Sequence, residues 1–153
     1  MSEYQLALEI IKRSVNPTWE MAKREWKLVE IEESEDYETC LCGHYPIREL
    51  CTLKNIKNGK KTIVGNCCVK KFLGLPSNKI FQAVKRVRKD TGKSLNAETI
   101  RLAYEQGWIN DWENKFYLDI MRKRVLTNRQ LAKKLQVNEK VLGRVRTTSR
   151  AVG

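Results

Sequence analysis

Five cysteines, Cys40, Cys42, Cys51, Cys67 and Cys68, fall within a stretch of 29 residues, and His44, the one histidine of the chain, lies among them. No other feature of the 153 residues restricts the fold as much. An odd number of cysteines does not close a disulfide framework. The first residues, MSEYQLALEIIKR, also lack the basic start and unbroken apolar run expected of a secretory leader. The cluster therefore reads as a metal site. A finger of about 50 residues buries too little apolar surface to hold itself together, and a bound ion replaces the missing core.

Around the cysteines the sequence is ETCLCGHYPIRELCTLKNIKNGKKTIVGNCCVKKFLGL. In Cys40-Leu41-Cys42 the two thiols are two residues apart, so an extended backbone turns both to one side. Gly43 then supplies a turn that a Cβ would resist. Residues 47–55 and 61–64 read as two strands carrying Ile47, Leu50, Leu53, Ile63 and Val64, with the hairpin signal Asn58-Gly59 between them. Gly65-Asn66 breaks the second strand, and Asn66 is placed to cap a helix beginning near Cys67. A thiol in the first turn of a helix is expected to ionise more readily, because backbone N–H groups and the helix dipole stabilise the thiolate. Zinc takes four ligands. Cys40 and Cys42 supply two; Cys67 and Cys68 are vicinal, so their side chains diverge and one ion seldom takes both, and Cys68 is the choice. His44, Cys51 and Cys67 are the candidates for the fourth, and His44, two residues past Cys42, is the choice. Cys51 reads as a small apolar side chain on the hairpin. A knuckle, a hairpin and a helix whose first turn donates a ligand resemble a treble-clef zinc finger.

The pattern CxCGH followed by GNCCVKKF is similar to a zinc-finger segment of uncharacterised bacteriophage and bacterial proteins. The flanking stretches EWKLVEIEE and NDWENKFYLDIMRKRVLTNRQLAKKL share the similarity, which covers residues 19–75 and 108–142. The resemblance implies a zinc site that includes Cys40, Cys42 and Cys68, and a phage or prophage origin. It implies no activity.

The formal net charge of +12 is unevenly placed. Residues 1–76 carry 12 Lys and Arg against 11 Asp and Glu, whereas residues 77–153 carry 18 against seven. A localised positive field is the footprint of a polyanionic partner. Gly74-Leu75-Pro76-Ser77 marks the boundary, so an N-terminal helix and zinc-binding hairpin module is expected over 1–76 and a basic helical region over 77–153.

Before the finger, Ser2 and Gln5 suggest a capping box for a helix to Ser14 with Tyr4, Leu8 and Ile11 on one face. Thr18 is placed to cap a short helix with Trp19 and Met21. Trp26 to Glu32 alternates as a strand, and the acidic residues from Glu30 to Glu38 read as its solvated end and a loop. After the boundary, helices are expected from Ser77 to Lys89, with Ile80, Phe81, Val84 and Val87 inward, from Ala97 to Gln106 behind an Asn96 cap, and from Asp111 to Arg124. The segment 126–146 resembles a helix-turn-helix, with Leu135 and Val137 at the turn and Asn138 and Lys140 at the start of a base-reading helix. Gln136 stands where that motif usually has Gly. The same periodicity fits one amphipathic helix, and both readings stay open.

These features predict an α+β chain: a small zinc-stabilised, treble-clef-like hairpin module followed by a basic helical region. No H-x-E with PC-x-x-C deaminase signature, two-histidine metalloprotease pair or phosphate-cradling glycine loop occurs, so a non-enzymatic protein is expected. The expected cofactor is zinc and the expected partner is nucleic acid, DNA rather than RNA. Its phosphate or base contacts would be Lys70, Lys71, Lys85, Arg86, Arg122, Lys123, Arg124, Lys133, Lys134, Asn138, Lys140, Arg144 and Arg146. The alternative is a phage-encoded protein that binds and modulates a host protein. No membrane association is expected, and the expected location is the cytoplasm, that of the host if phage-encoded.

Overall fold

The alternation that begins at Trp26 continues further than its pattern predicts. In the computed structural model, which describes residues 3–148, strand β1 spans Trp26–Glu38. The acidic stretch expected as a loop is part of it. Glu32 and Ser34 are buried, and Arg48 Nε donates to the Ser34 carbonyl at 2.9 Å. Strand β2 spans Ile47–Asn55 and β3 spans Lys61–Gly65. The three form an antiparallel sheet, with Ile31, Cys51 and Val64 in register on its core face. A bulge at Val29 lies between the Leu28–Leu53 and Glu30–Thr52 pairs. A short strand β4, Arg146–Thr148, adds in parallel to β1 and gives the order β3-β2-β1-β4.

The chain divides into two compact units, residues 3–78 with 146–148 and residues 79–145. The expected C-terminal region thus loses its last strand to the first unit. Ahead of β1 the first unit carries helix α1, Glu3–Arg13, and helix α2, Trp19–Ala22. Ser2, the expected cap of α1, lies outside the described residues. The buried face of α1 is Leu6 and Ile10, both 0% exposed, and not Tyr4 and Leu8, which are 76% and 43% exposed. Apolar residues occupy enough of this helix to offer two stripes, and tertiary packing selects one. Burying Leu6 and Ile10 contributes about 1.5–3 kcal/mol each. The Glu25 carboxylate accepts from the Val15 and Asn16 N–H groups at 2.8 Å and from Asn55 Nδ2 at 2.9 Å. Burial alone would raise its pKa, but these donors and the Lys57 charge hold it below the usual value.

After β3 comes α3, Asn66–Cys68, which widens into a π turn over Val69–Leu73. Helix α4, Ser77–Lys89, begins at the last two residues of the first unit and buries Ile80, Phe81, Val84 and Val87 as its pattern predicts. The second unit continues with α5, Ala97–Glu105, α6, Asp111–Ile120, and α7, Asn128–Leu142. Asn96 caps α5 by accepting from the Thr99 N–H, and Gly107, at φ 74, follows its end. Ala83, Val87, Leu95, Ile100, Ala103, Ile109, Tyr117, Val137 and Val141 form the core. Helix α6 stops at Ile120, so Arg122, Lys123 and Arg124 follow it and do not extend it.

The segment 126–146 is not a helix-turn-helix. Thr127 and Gln130 form a capping box, and α7 then runs unbroken through 135–137. Gln136 has no need of a left-handed turn, and Val137 and Val141 lie one turn apart on the buried face.

Glu113 ties α6 to α7. It is 1% exposed, closes the Asn110 capping box and accepts from Lys140 Nζ at 2.7 Å, with Lys133 Nζ at 3.4 Å. Burial pushes its pKa up, but the Lys140 hydrogen bond, the Asn110 N–H and the two lysine charges outweigh it, and the net direction is down. A carboxylate lowered in the folded state stabilises fully above its unfolded pKa, near 4.5, and loses that contribution as pH falls. Glu113→Gln is therefore expected to lower stability at neutral pH and to flatten its fall below about pH 4.5, checked by thermal denaturation across pH.

Candidate metal centre and basic cleft

The knuckle brings the first two thiols together through its backbone. Gly43 N–H donates to the Cys40 carbonyl at 2.8 Å, and Cys40 N–H donates to the His44 carbonyl at 2.9 Å. Gly43 sits at φ 89, a left-handed conformation that L side chains rarely adopt, so the position favours glycine. His44 N–H donates to Cys42 Sγ at 3.4 Å, and Gly65 N–H donates to Cys40 Sγ at 3.3 Å. Backbone N–H donors to sulfur stabilise thiolates. Cys68 reaches the same place from α3, and the Cys40, Cys42 and Cys68 ligand atoms lie within 4.8 Å of one another. All three residues are buried, at 4%, 2% and 1% exposure.

This group can hold a metal ion. Burial is the main reason that the Cys40 and Cys68 pKa values are raised, and the neighbouring thiols raise them further. The first-turn position of Cys68 therefore does not make it acidic by itself, because burial outweighs the helix end. Burial of three adjacent thiols favours their neutral form, and a bound cation would be needed to hold them together as thiolates.

The other sulfur and nitrogen candidates lie elsewhere. His44 is exposed, and the structure does not bring its imidazole into the thiol group. Its part in the site is the backbone that closes the knuckle. Cys67 is exposed beside Cys68. Cys51 is buried in β2 opposite Val64, and burial pushes its thiol up to about 12. Asn66 is the first residue of α3 and not its cap. Its side chain accepts from Ser77 Oγ at 2.6 Å and donates to Glu49 at 3.2 Å.

The expected nucleic-acid contacts do not form one surface. Asn138 is buried and cannot read a base: it accepts from the Tyr117 hydroxyl at 2.6 Å and donates to the Thr91 and Lys93 carbonyls at 3.0 Å. Lys133 and Lys140 are paired with Glu113, and Arg146 with Glu30 at 3.2 Å. Lys70, Lys71, Lys85, Lys123, Arg124 and Arg144 are exposed. Arg86, Arg122 and Lys134 are brought together, although 48 residues separate the first from the last in sequence. With Lys93 they line one cleft of about 540 Å³ in the second unit. Lys134, only 7% exposed, donates to the Gly92 carbonyl at 2.9 Å, and burial lowers its pKa. Arg86 donates to the Ser94 carbonyl at 2.8 Å. Glu98, the one carboxylate in the lining, lies 3.6 Å from Lys79. Lys93 is the residue that sequence reasoning missed. Its one signal is its place just after the Asp90-Thr91-Gly92 stop of α4.

Among the described residues no helix is long and apolar enough to cross a membrane. Comparison with protein-family models, with curated proteins and with solved structures finds no match.

Proposed function

We propose that this chain is a non-enzymatic nucleic-acid-binding protein whose first unit is held by zinc and whose second unit binds phosphates. The observation that carries the reading is the cleft of Arg86, Lys93, Arg122 and Lys134, four cations around one carboxylate that has its own lysine. Lys93 and Arg122 are exposed, while Arg86 and Lys134 are fixed by backbone carbonyls, so the positive wall is preorganised. The Asn96-capped start of α5 lines the same cleft and adds the positive end of a helix dipole. Such contacts recognise the backbone and not the base sequence.

Zinc is the ion this reading assigns to Cys40, Cys42 and Cys68, completed by a fourth donor from outside the group. Three thiolates suit its soft, tetrahedral chemistry. The knuckle, the β2–β3 hairpin and the helical turn bearing Cys68 support a treble-clef-like arrangement. The buried ligands favour a structural over a catalytic role.

The test is binding as a function of salt. Each phosphate contact contributes about −0.9 to the slope of log affinity against log salt on duplex DNA. Replacing Lys93 and Arg122 together by Gln is expected to flatten that slope by roughly 2 and to weaken binding evenly across sequences. Fluorescence anisotropy with duplex DNA, single-stranded DNA and RNA reads it. No binding to any of the three at low salt would overturn the reading and favour a protein partner.

A further inference from the structure

The nearly even charge count of the first unit conceals a separation of charge along its sheet. Pairing places Lys27 of β1 opposite Lys54 of β2, and Lys54 opposite Lys61 of β3. Directly paired residues share a face, so the three ammonium-bearing side chains form one row across three strands. Strands lie about 4.8 Å apart, so the row spans roughly 10 Å between its outer backbones. Lys57 and Lys60 stand in the adjoining turn, both exposed. The acidic residues gather at the opposite end, from Glu32 to Glu38 on β1 and at Glu49 on β2.

Like charges directly opposite each other destabilise a sheet. Lysines on an edge strand also discourage pairing with other chains, which accounts for Lys61 on β3. It does not account for Lys54 on the inner strand β2, which has a lysine on either side. None of Lys27, Lys54 and Lys61 makes an ion pair with another described residue. The next row on the same face is Glu30, Thr52 and Ile63, where Glu30 is engaged by Arg146. Neither row holds an aromatic ring on which a base could stack.

We infer that the Lys27–Lys54–Lys61 row is a second phosphate-docking face for nucleic acid, carried by the metal-binding unit and separate from the cleft of the helical unit. A line of unpaired cations at strand spacing complements the regular line of charges on a nucleic-acid backbone. An anionic membrane would call for apolar side chains that insert beside the cations, and among the described residues of the turn 55–60 Ile56 is the one large apolar side chain. The face carries charge without base readout, so it raises affinity independently of sequence.

The experiment uses the full chain with Lys27, Lys54 and Lys61 replaced together by Gln, a change that relieves repulsion within the sheet. Metal content and thermal melting establish that the variant is folded. Anisotropy with a labelled duplex at several salt concentrations is expected to show a slope flattened by about 2 to 3 relative to wild type. The triple Arg variant is expected to keep the wild-type slope. Lys61→Glu, an exposed single change, is expected to weaken binding even if the triple Gln variant fails to fold. The Lys93→Gln, Arg122→Gln protein is measured beside it. Loss in the row variants alone would support this face and reject the cleft, and loss in the cleft variant alone would do the reverse. An unchanged slope in the triple Gln variant, unchanged affinity in Lys61→Glu, or row-dependent binding to phosphatidylserine vesicles without binding to duplex would overturn the inference.

Discussion

Cys68→Ser is expected to release the metal and unfold the hairpin of the first unit. Cys68 is one of three buried cysteines whose thiols lie within 4.8 Å of one another and could hold an ion, and no other described side chain joins that group. In small structural zinc sites the binding free energy, on the order of 10–16 kcal/mol, is folding free energy. That matches or exceeds the net stability of a typical domain, about 5–15 kcal/mol. Cys40→Ser should act alike, and should also leave the Gly65 N–H without its sulfur acceptor. Cys51→Ala keeps all three ligands and is expected to retain the metal, with a modest loss from the cavity at a fully buried position. Native mass spectrometry reads the metal, and amide NMR signals from β2 and β3 read the fold. A Cys68→Ser protein that keeps both would refute the assignment.

Tyr117→Ala is the change expected to do most damage to the helical unit. Tyr117 is 0% exposed at the centre of the core. Its hydroxyl donates to Asn138 Oδ1 at 2.6 Å and accepts from the Leu95 N–H at 2.8 Å. Asn138 in turn holds the Thr91 and Lys93 carbonyls, so the ring and its hydroxyl fix the loop on which Lys93 stands. Truncation removes the packing of a large aromatic side chain, about 3–5 kcal/mol. Tyr117→Phe separates the two contributions. It keeps the ring but strands a buried N–H and a buried amide oxygen, at about 1–3 kcal/mol for each unsatisfied group. Chemical denaturation gives the stability loss. Phosphate affinity is expected to fall in Tyr117→Phe even where the protein remains folded, because the Lys93 loop loosens.

The parts of the fold that were legible in the sequence are those written in adjacent residues. The Asn58-Gly59 turn fixed the hairpin, with Gly59 at φ 75. Asn96 and Gly107 bounded α5, and the apolar spacing of α4 named its buried face. Cys40, Cys42 and Cys68 were legible because knuckle and helix start are local geometries that leave their thiols little freedom. What the sequence did not reveal depends on partners far along the chain. The buried stripe of α1 is chosen by what packs on it. Strand β4 pairs with β1 across more than a hundred residues. Lys140 is taken out of the free positive surface by Glu113, 27 residues away, and Asn138 by Tyr117, 21 residues away. The helix-turn-helix resemblance reflected apolar spacing that a continuous helix satisfies equally well. The charge arithmetic located the basic half, but not which of its cations share a cleft or which lysines of the balanced half line up across the sheet.

On the reading proposed above, the cleft of the helical unit receives nucleic-acid phosphates. An amide NMR titration of the isotopically labelled full chain with a short DNA duplex tests it most directly. Chemical-shift changes are expected at residues 93–98 and around Arg86 and Arg122, shrinking as salt is added. Binding that leaves these residues unshifted, or no binding at low salt, would contradict it.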